Sequence, residues 1–366
     1  MNYSRQIVHS YYKTLKADFE VMLDEVLNQL PTDVLIVRLV CWCAPSDNEE
    51  YEKWLSLSKR RVREYFTDCV PGFTLVAQPP LDCGMVLEAH ALQPYSQDVV
   101  YYKKFEKHPY VVVENPFGRF LFASGFHGSG LLATAALQSQ EAFKQVEGLL
   151  QSEGFAPSDI IRQWNYIERI TDRDADDQRY QSLNNARADY YAKADWNNGY
   201  PAATGIGTSL GGVCVDVDAV IATNQQCRIL PIDNALQVAA HDYSSDVILS
   251  SGAQKESPKF ERAKSVEFPQ SKLIYISGTA AIRGEESLEG VGLARQIEVT
   301  VENIAQLTQN LPIRHLRVYL KNPADYKEAA QLLTTTYPTA EIAFFEADVC
   351  RDELLLEIEG IASSDL

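Results

Sequence analysis

One structural unit is written twice in this chain, and only the second copy ends in a pair of glutamates. The first copy spans about residues 110–222. It holds Ser124-Gly125, a helical stretch around Gln140, the run Ile161-Arg162-Gln163-Trp164-Asn165-Tyr166 and the closing Val215-Asp216-Val217-Asp218-Ala219. The second spans about residues 273–362. It holds Ser277-Gly278, a helical stretch around Gln296, His315-Leu316-Arg317-Val318-Tyr319 and the closing Leu356-Glu357-Ile358-Glu359-Gly360. This shared order constrains the fold more than any single motif. Each copy has strands and helices enough to cover one face of a sheet, so the other face must pack against a neighbour. Chemistry is expected where the copies differ.

Hydrophobic periodicity fills in the elements. The predicted class is α+β, with duplicated units whose sheets pack together and whose helices lie on the outer face. Residues 1–108 read as an N-terminal α/β segment without visible chemistry, open to being a third, degenerate copy. The first unit is placed at 109–225, a connecting segment at 226–267 and the second unit at 268–366. Within the first unit a helix is predicted over 133–153, ending at Gly154. The polar stretch 223–264 reads as a long bridge of the kind that is functional or disordered. Sheets packed face to face leave clefts between units, which are natural ligand sites.

The net charge of −17 excludes a nucleic-acid protein, because phosphate binding needs a basic footprint. The hydrophobic share of 46% is ordinary for a globular chain, and no apolar run reaches the length of a membrane span. MNYSRQIVHS lacks a signal-peptide core. These readings predict a cytoplasmic protein with no membrane or nucleic-acid partner, as a monomer or homotrimer. The seven cysteines are scattered apart from Cys41-Trp42-Cys43, which reads as two buried thiols, and no metal or cofactor is expected. Gly205-Ile206-Gly207 lacks the helix start of a dinucleotide loop, since the following residues alternate like a strand. Among the histidines, only His127 after Ser124-Gly125 invites attention.

The closing strand carries the strongest candidate. Alternation places Leu354, Leu356 and Ile358 on one face and Leu355, Glu357 and Glu359 on the other. Carboxylates at i and i+2 on one strand face lie roughly 7 Å apart. Desolvated, their repulsion would keep one protonated near neutral pH. On a half-exposed strand both would simply face solvent. In the first copy, Asp216 and Asp218 are the expected counterparts. Arg162, beside the aromatic run ending at Tyr166, and Arg187, which shares a helical face with Tyr180 and Asn184, are candidate carboxylate anchors because guanidinium forks donate two parallel bonds. Each could equally form a surface ion pair. Cys350 and Arg351 add a thiol and a third arginine.

The second copy resembles the RidA/YjgF-like (chorismate-mutase-like) fold through Ile276-Ser277-Gly278, the helix around 296–303, Val318-Tyr319-Leu320 and Glu357-Ile358-Glu359. Tyr337-Pro338 is followed by Thr339-Ala340-Glu341, without the arginine that imine deaminases of that fold use. More specifically, Arg162 through Tyr166, Tyr180 through Arg187, Pro201 through Gly207, Ser277-Gly278-Thr279-Ala280 and Cys350 through Glu359 resemble blocks of the chorismatase family. Ala281 departs from the serine expected there. The resemblance implies cleavage of chorismate, a dicarboxylate, to pyruvate and a ring product. Glu357 would be the catalytic acid. Arg162, Tyr166, Tyr180, Arg187, Thr279, Ala263 and Arg351 would be in the substrate site, with Cys350 a product-determining group. A cysteine seven residues before the glutamate resembles members that form 3-hydroxybenzoate; other members form 3,4-dihydroxycyclohexa-1,5-diene carboxylate. A RidA-like enamine or imine deaminase and a non-catalytic binder of a small aromatic acid are the competing readings.

Overall fold

The computed structural model describes residues 7–93, 97–128, 132–174, 177–244 and 256–364. One strand-and-helix pattern recurs three times along them. The first pass comprises β1 (Ile7–Thr14), α1 (Phe19–Asn28), β2 (Leu35–Cys43), α2 (Asn48–Phe66), β3 (Gly72–Ala77) and β4 (Met85–Leu92). The second comprises β5 (Val99–Phe105), β6 (His108–Asn115), β7 (Gly118–His127), α3 (Ala135–Glu153), β8 (Ile160–Glu168), the short hairpin β9 (Arg173–Asp174) and β10 (Asp177–Gln178), α4 (Arg179–Tyr191), β11 (Ala202–Thr208) and β12 (Val213–Ala222). The third comprises β13 (Arg228–Ile232), β14 (Ala263–Phe268), β15 (Ser271–Thr279), the hairpin β16 (Ile282–Arg283) and β17 (Glu286–Ser287), α5 (Leu293–Thr308), β18 (Ile313–Leu320), α6 (Tyr326–Thr336), β19 (Glu341–Glu346) and β20 (Leu356–Ser363).

The sheet orders are β1-β4-β2-β3, then β5-β6-β7-β12-β8-β11, then β13-β14-β15-β20-β18-β19. The four-strand core is the same each time. Its parallel pairs β2/β3, β8/β11 and β18/β19 each need a crossover, supplied by α2, α4 and α6. The N-terminal segment therefore carries the same topology as the other two.

Local sequence explains the helices. Thr134 Oγ1 accepts from Leu137 N at the start of α3, and Gly154, at φ +74°, ends it. Leu293, Ile297, Ile304 and Leu307 of α5 pack on Ile274, Ile276, Leu316 and Ile358 of the third sheet. Each sheet has such a helix-covered outer face. The inner faces meet one another: Val40, Trp42 and Val86 of the first sheet pack with Trp164, Tyr166 and Cys214 of the second and Tyr319 and Phe345 of the third. β3 packs on β7, β11 on β15 and β19 on β1, so the sheets close a ring with approximate threefold symmetry.

Two sequence boundaries shift. β5, inside the segment read as N-terminal, pairs with β6 in the second sheet. β13 and β14, inside the stretch read as a connector, are strands of the third sheet. β5 and β13 are edge strands with largely solvent-facing side chains, so neither shows the apolar alternation that marks a strand. Residues 245–255 of the expected bridge lie outside the described residues.

Candidate active site

β20 carries both glutamates on the face turned away from α5, toward the junction where β11 meets β15. Leu356 and Ile358 sink into the core beneath α5. Glu359 is fully engaged. It accepts from Arg162 Nη2, Arg317 Nη1 (2.9 Å), Tyr319 Oη (2.7 Å) and Thr204 Oγ1. Burial opposes its charge, but the Arg162 and Arg317 guanidiniums overcome it and hold the carboxyl below its ordinary range. Glu357 has the opposite fate. At 5% exposure, burial first and the neighbouring Glu359 anion second push its carboxyl up to about 8, against the pull of Arg162 and Arg262. It is a protonated acid at neutral pH. Gly278, at the bulge where β15 and β20 slip register, lets it lie this close to the backbone, since a Cβ there would overlap Glu357 Oε1.

Glu357 faces a cavity of about 830 Å³ between the second and third units, counting its mouth. α4 contributes Tyr180, Asn184 and Arg187, and β11 contributes Ala203 and Gly205. The third unit contributes Gly278, Cys350, Arg351 and the segment bearing Phe260 and Arg262. Three guanidiniums therefore gather in an acidic protein. Arg187 Nη2 donates to Asn184 Oδ1 (2.7 Å), and Arg262 Nη2 donates to Val238 O (2.8 Å) and Tyr243 Oη (2.5 Å). Arg187 Nε and Arg262 Nε are buried with no partner among the described residues. Arg351 Nη1 donates to Glu285 O (2.8 Å) and Ser287 Oγ (3.1 Å), and its guanidinium lies 5.2 Å from the Tyr243 ring centre. Burial, with Glu357 nearby, pushes the Cys350 thiol up to about 12, so it is no thiolate. Such a cavity suits a small, planar, multiply anionic ligand and offers it a proton.

Of the residues singled out from sequence, Glu357, Cys350, Tyr180, Arg187 and Arg351 converge on this cavity. Four do not line it. Arg162 lies behind Glu357, bonded to Glu359 and stacked 4.6 Å from the Trp164 ring centre, so its charge is already engaged inside the protein. The Tyr166 hydroxyl accepts from Arg317 Nη1 (3.2 Å) in the same interior. Thr279 Oγ1 donates to Ser277 O (2.8 Å), and strand alternation turns it away while Gly278 forms the wall. Ala263 packs with Ile232, Ile274 and Ile276 in the apolar core; its neighbour Arg262 has the parity that reaches the cavity. Sequence reasoning passed over Arg262, Phe260 and Tyr243. Alternation through Phe260-Glu261-Arg262 could have flagged the first two. Tyr243 comes from a segment with no periodic signal. His127 lies at the junction of β3 with β7, held neutral by burial.

Register also corrects the expected internal match. Ser277-Gly278 and Ser124-Gly125 occupy equivalent bulges, which places Asp216 opposite Trp164 where Glu359 stands opposite Arg317. Thr74 Oγ1 donates to Asp216 as Thr204 Oγ1 does to Glu359. Asp216 is thus the counterpart of Glu359. The counterparts of Glu357 are Cys214 and, in the first unit, Val86. Of these three positions, one carries an acid.

The family model described as "Chorismatase FkbO/Hyg5-like, N-terminal" matches residues 114–219. A solved structure of a chorismatase superposes with a TM-score of 0.69 at 23% identity, covering 97% of this chain and 98% of that one, so the folds are alike. Over residues 114–219 the chain is thus similar to the chorismatase family, and its fold is like that of the solved chorismatase. It is 28% identical over 233 residues to a 3-hydroxybenzoate synthase of Streptomyces hygroscopicus, across 57% of this chain and 65% of that protein. It is 29% identical over 249 residues to a chorismatase of the same organism, across 63% and 67%. The match to the 3-hydroxybenzoate synthase therefore spans a little under two thirds of that relative's length.

Proposed function

We propose that this protein cleaves the enolpyruvyl ether of chorismate, with Glu357 as general acid. The observation that carries the reading is a protonated glutamate at the wall of a cavity that also holds Arg187, Arg262 and Arg351. The names of the relatives support the substrate. An enol ether resists cleavage until its methylene carbon is protonated, which places positive charge on the ether carbon as in glycoside hydrolysis. Glu357 donates that proton. The arginines hold the two substrate carboxylates and fix the ring for attack.

For the product, our reading is 3-hydroxybenzoate. The ring hydroxyl attacks the adjacent ring carbon, the ether C–O bond breaks, and pyruvate leaves with the ether oxygen. The resulting arene oxide opens and loses a ring proton to aromatise. Chorismate is then divided into two products with no water added. Cys350 on the cavity wall, seven residues before Glu357, and the 3-hydroxybenzoate synthase among the relatives support this route over water attack. The test incubates the pure protein with chorismate in ¹⁸O-water, couples pyruvate to NADH loss and identifies the ring product by mass. Unlabelled 3-hydroxybenzoate with stoichiometric pyruvate is expected. A diene diol in its place overturns the product, and absence of pyruvate between mildly acidic and mildly basic pH overturns the function.

A further inference from the structure

The first unit reaches the candidate acid through a chain of buried charges. Glu88, on β4, accepts from Arg317 Nε (2.7 Å) and Nη2 (2.6 Å) in a two-pronged pair. The third prong, Arg317 Nη1, donates to Glu359 Oε1 at 2.9 Å. The other Glu359 oxygen takes Arg162 and Thr204, and Gly278 N donates to Thr204 Oγ1 (3.1 Å) right beside Glu357. Glu88, Arg317, Glu359 and Arg162 are each within 2% of full burial. Their formal charges cancel in pairs, with Glu88 occupying Arg317 and leaving Arg162 as the main counter-charge to Glu359. Arg38, also buried, is committed to Asp218 at 2.8 Å.

The geometry points to Glu359, and through Arg317 also Glu88 of the first unit, as positioning residues that keep the Glu357 carboxyl protonated between turnovers. This rests on Glu357 being the acid proposed above. The groups facing Glu357 are Glu359 on its own strand, Arg162 from β8, Arg262 from the segment before β14, Cys350 and Arg351 from the loop before β20, Tyr180 and Arg187 from α4, and Tyr243 across the cavity. Cys350 and Tyr180 are neutral, because burial pushes both upward. Around Glu88 stand His90 (2.5 Å) and His315 (3.5 Å), with His9 against both rings, and burial holds all three histidines neutral. The fixed anion nearest Glu357 is therefore Glu359. Deleting Glu88 would free the Arg317 charge to act on the site. Both deletions make the surroundings of Glu357 more positive and favour its ionised form.

Two readouts test this. The alkaline limb of the pH profile of kcat/KM should move acidward by about one to two pH units in Glu359→Gln and by about half a unit in Glu88→Gln, from the Coulomb energy of one charge at roughly 7 Å and at a longer range. The second readout needs no substrate. Infrared titration of each variant, subtracted from the same variant carrying Glu357→Gln, follows the protonated carboxyl itself and should give the same order of shifts. Circular dichroism checks folding; should Glu359→Gln not fold, Glu88→Gln decides, because it leaves Glu359 and both arginines paired. A folded Glu359→Gln with an unmoved or alkaline-shifted titration overturns the proposal. An unmoved Glu88→Gln overturns the part of the first unit. If wild type leaves chorismate intact, the chemistry falls, but the infrared series still decides the electrostatics.

Discussion

Replacing Glu357 by glutamine should make the protein more stable as well as inactive, by an amount that depends on pH. The unfolded chain releases this proton around the ordinary 4.5, whereas the folded protein keeps it up to about 8. Between those values the unfolded state binds fewer protons, so rising pH favours unfolding. The sign follows: the glutamate is harmless below about pH 4.5, increasingly costly through neutrality, and fully costly above about 8. At pH 7 the difference spans about 2.5 pH units, or about 3 kcal/mol at 1.36 kcal/mol per unit, rising to about 5 kcal/mol above pH 8. Glutamine has the same shape and no proton to lose. For 366 residues, 3 kcal/mol corresponds to about 4 °C in Tm. Urea unfolding of wild type and Glu357→Gln at pH 4.5, 6, 7 and 8 is the assay. The expected gap is near zero at the lowest pH and widens steadily. A pH-independent gap, or a wild type that is the more stable at pH 8, would refute the claim that this carboxyl is buried and protonated.

Three further outcomes can be checked independently. Gly278→Ala places a methyl against Glu357 Oε1 and 3.2 Å from Thr204 Cγ2, and should lower turnover about 100-fold while substrate binding persists; near-normal steady-state rates would count against the close fit. Arg187→Met removes a buried guanidinium from the cavity and should cost about 10- to 100-fold in kcat/KM for chorismate, read by pyruvate release, whereas an unchanged value would remove Arg187 from the anchors. Cys350→Ala should keep pyruvate release and move the ring product from 3-hydroxybenzoate toward the diene diol by chromatography; an unchanged product would strip Cys350 of that role.

Local pattern reaches some features of this site and not others. Period-two alternation was enough to put Glu357 and Glu359 on one face of β20, because side-chain direction on a strand depends only on position. Gly154 marked the end of α3 for a similarly local reason, the left-handed turn that glycine tolerates. Arg162 lies behind the cavity on Glu359, and composition cannot say which anion an arginine meets. Its partner, Glu359, lies 197 residues further along the chain. Ala263 failed by one residue, since a shift of one along a strand exchanges the two faces. The pairing of Asp216 and Asp218 with the two glutamates failed for the same reason, at bulges that offset register.

What the chain determines by itself is the repeated alternation of strands and helices, the acidic overall charge and the presence of adjacent glutamates on a single strand face. Those depend on backbone geometry and side-chain type within a few residues. Tertiary structure alone decided that one of the two glutamates is an anion and the other an acid. Arg162 from the second unit and Arg317 from the third surround Glu359, with Arg317 in turn tied to Glu88 of the first. Glu357 is buried instead at the wall of a cavity at the junction of two units. Proton affinity is set by solvent exclusion and by charges within a few ångströms, and only the closed ring of three sheets brings those charges together.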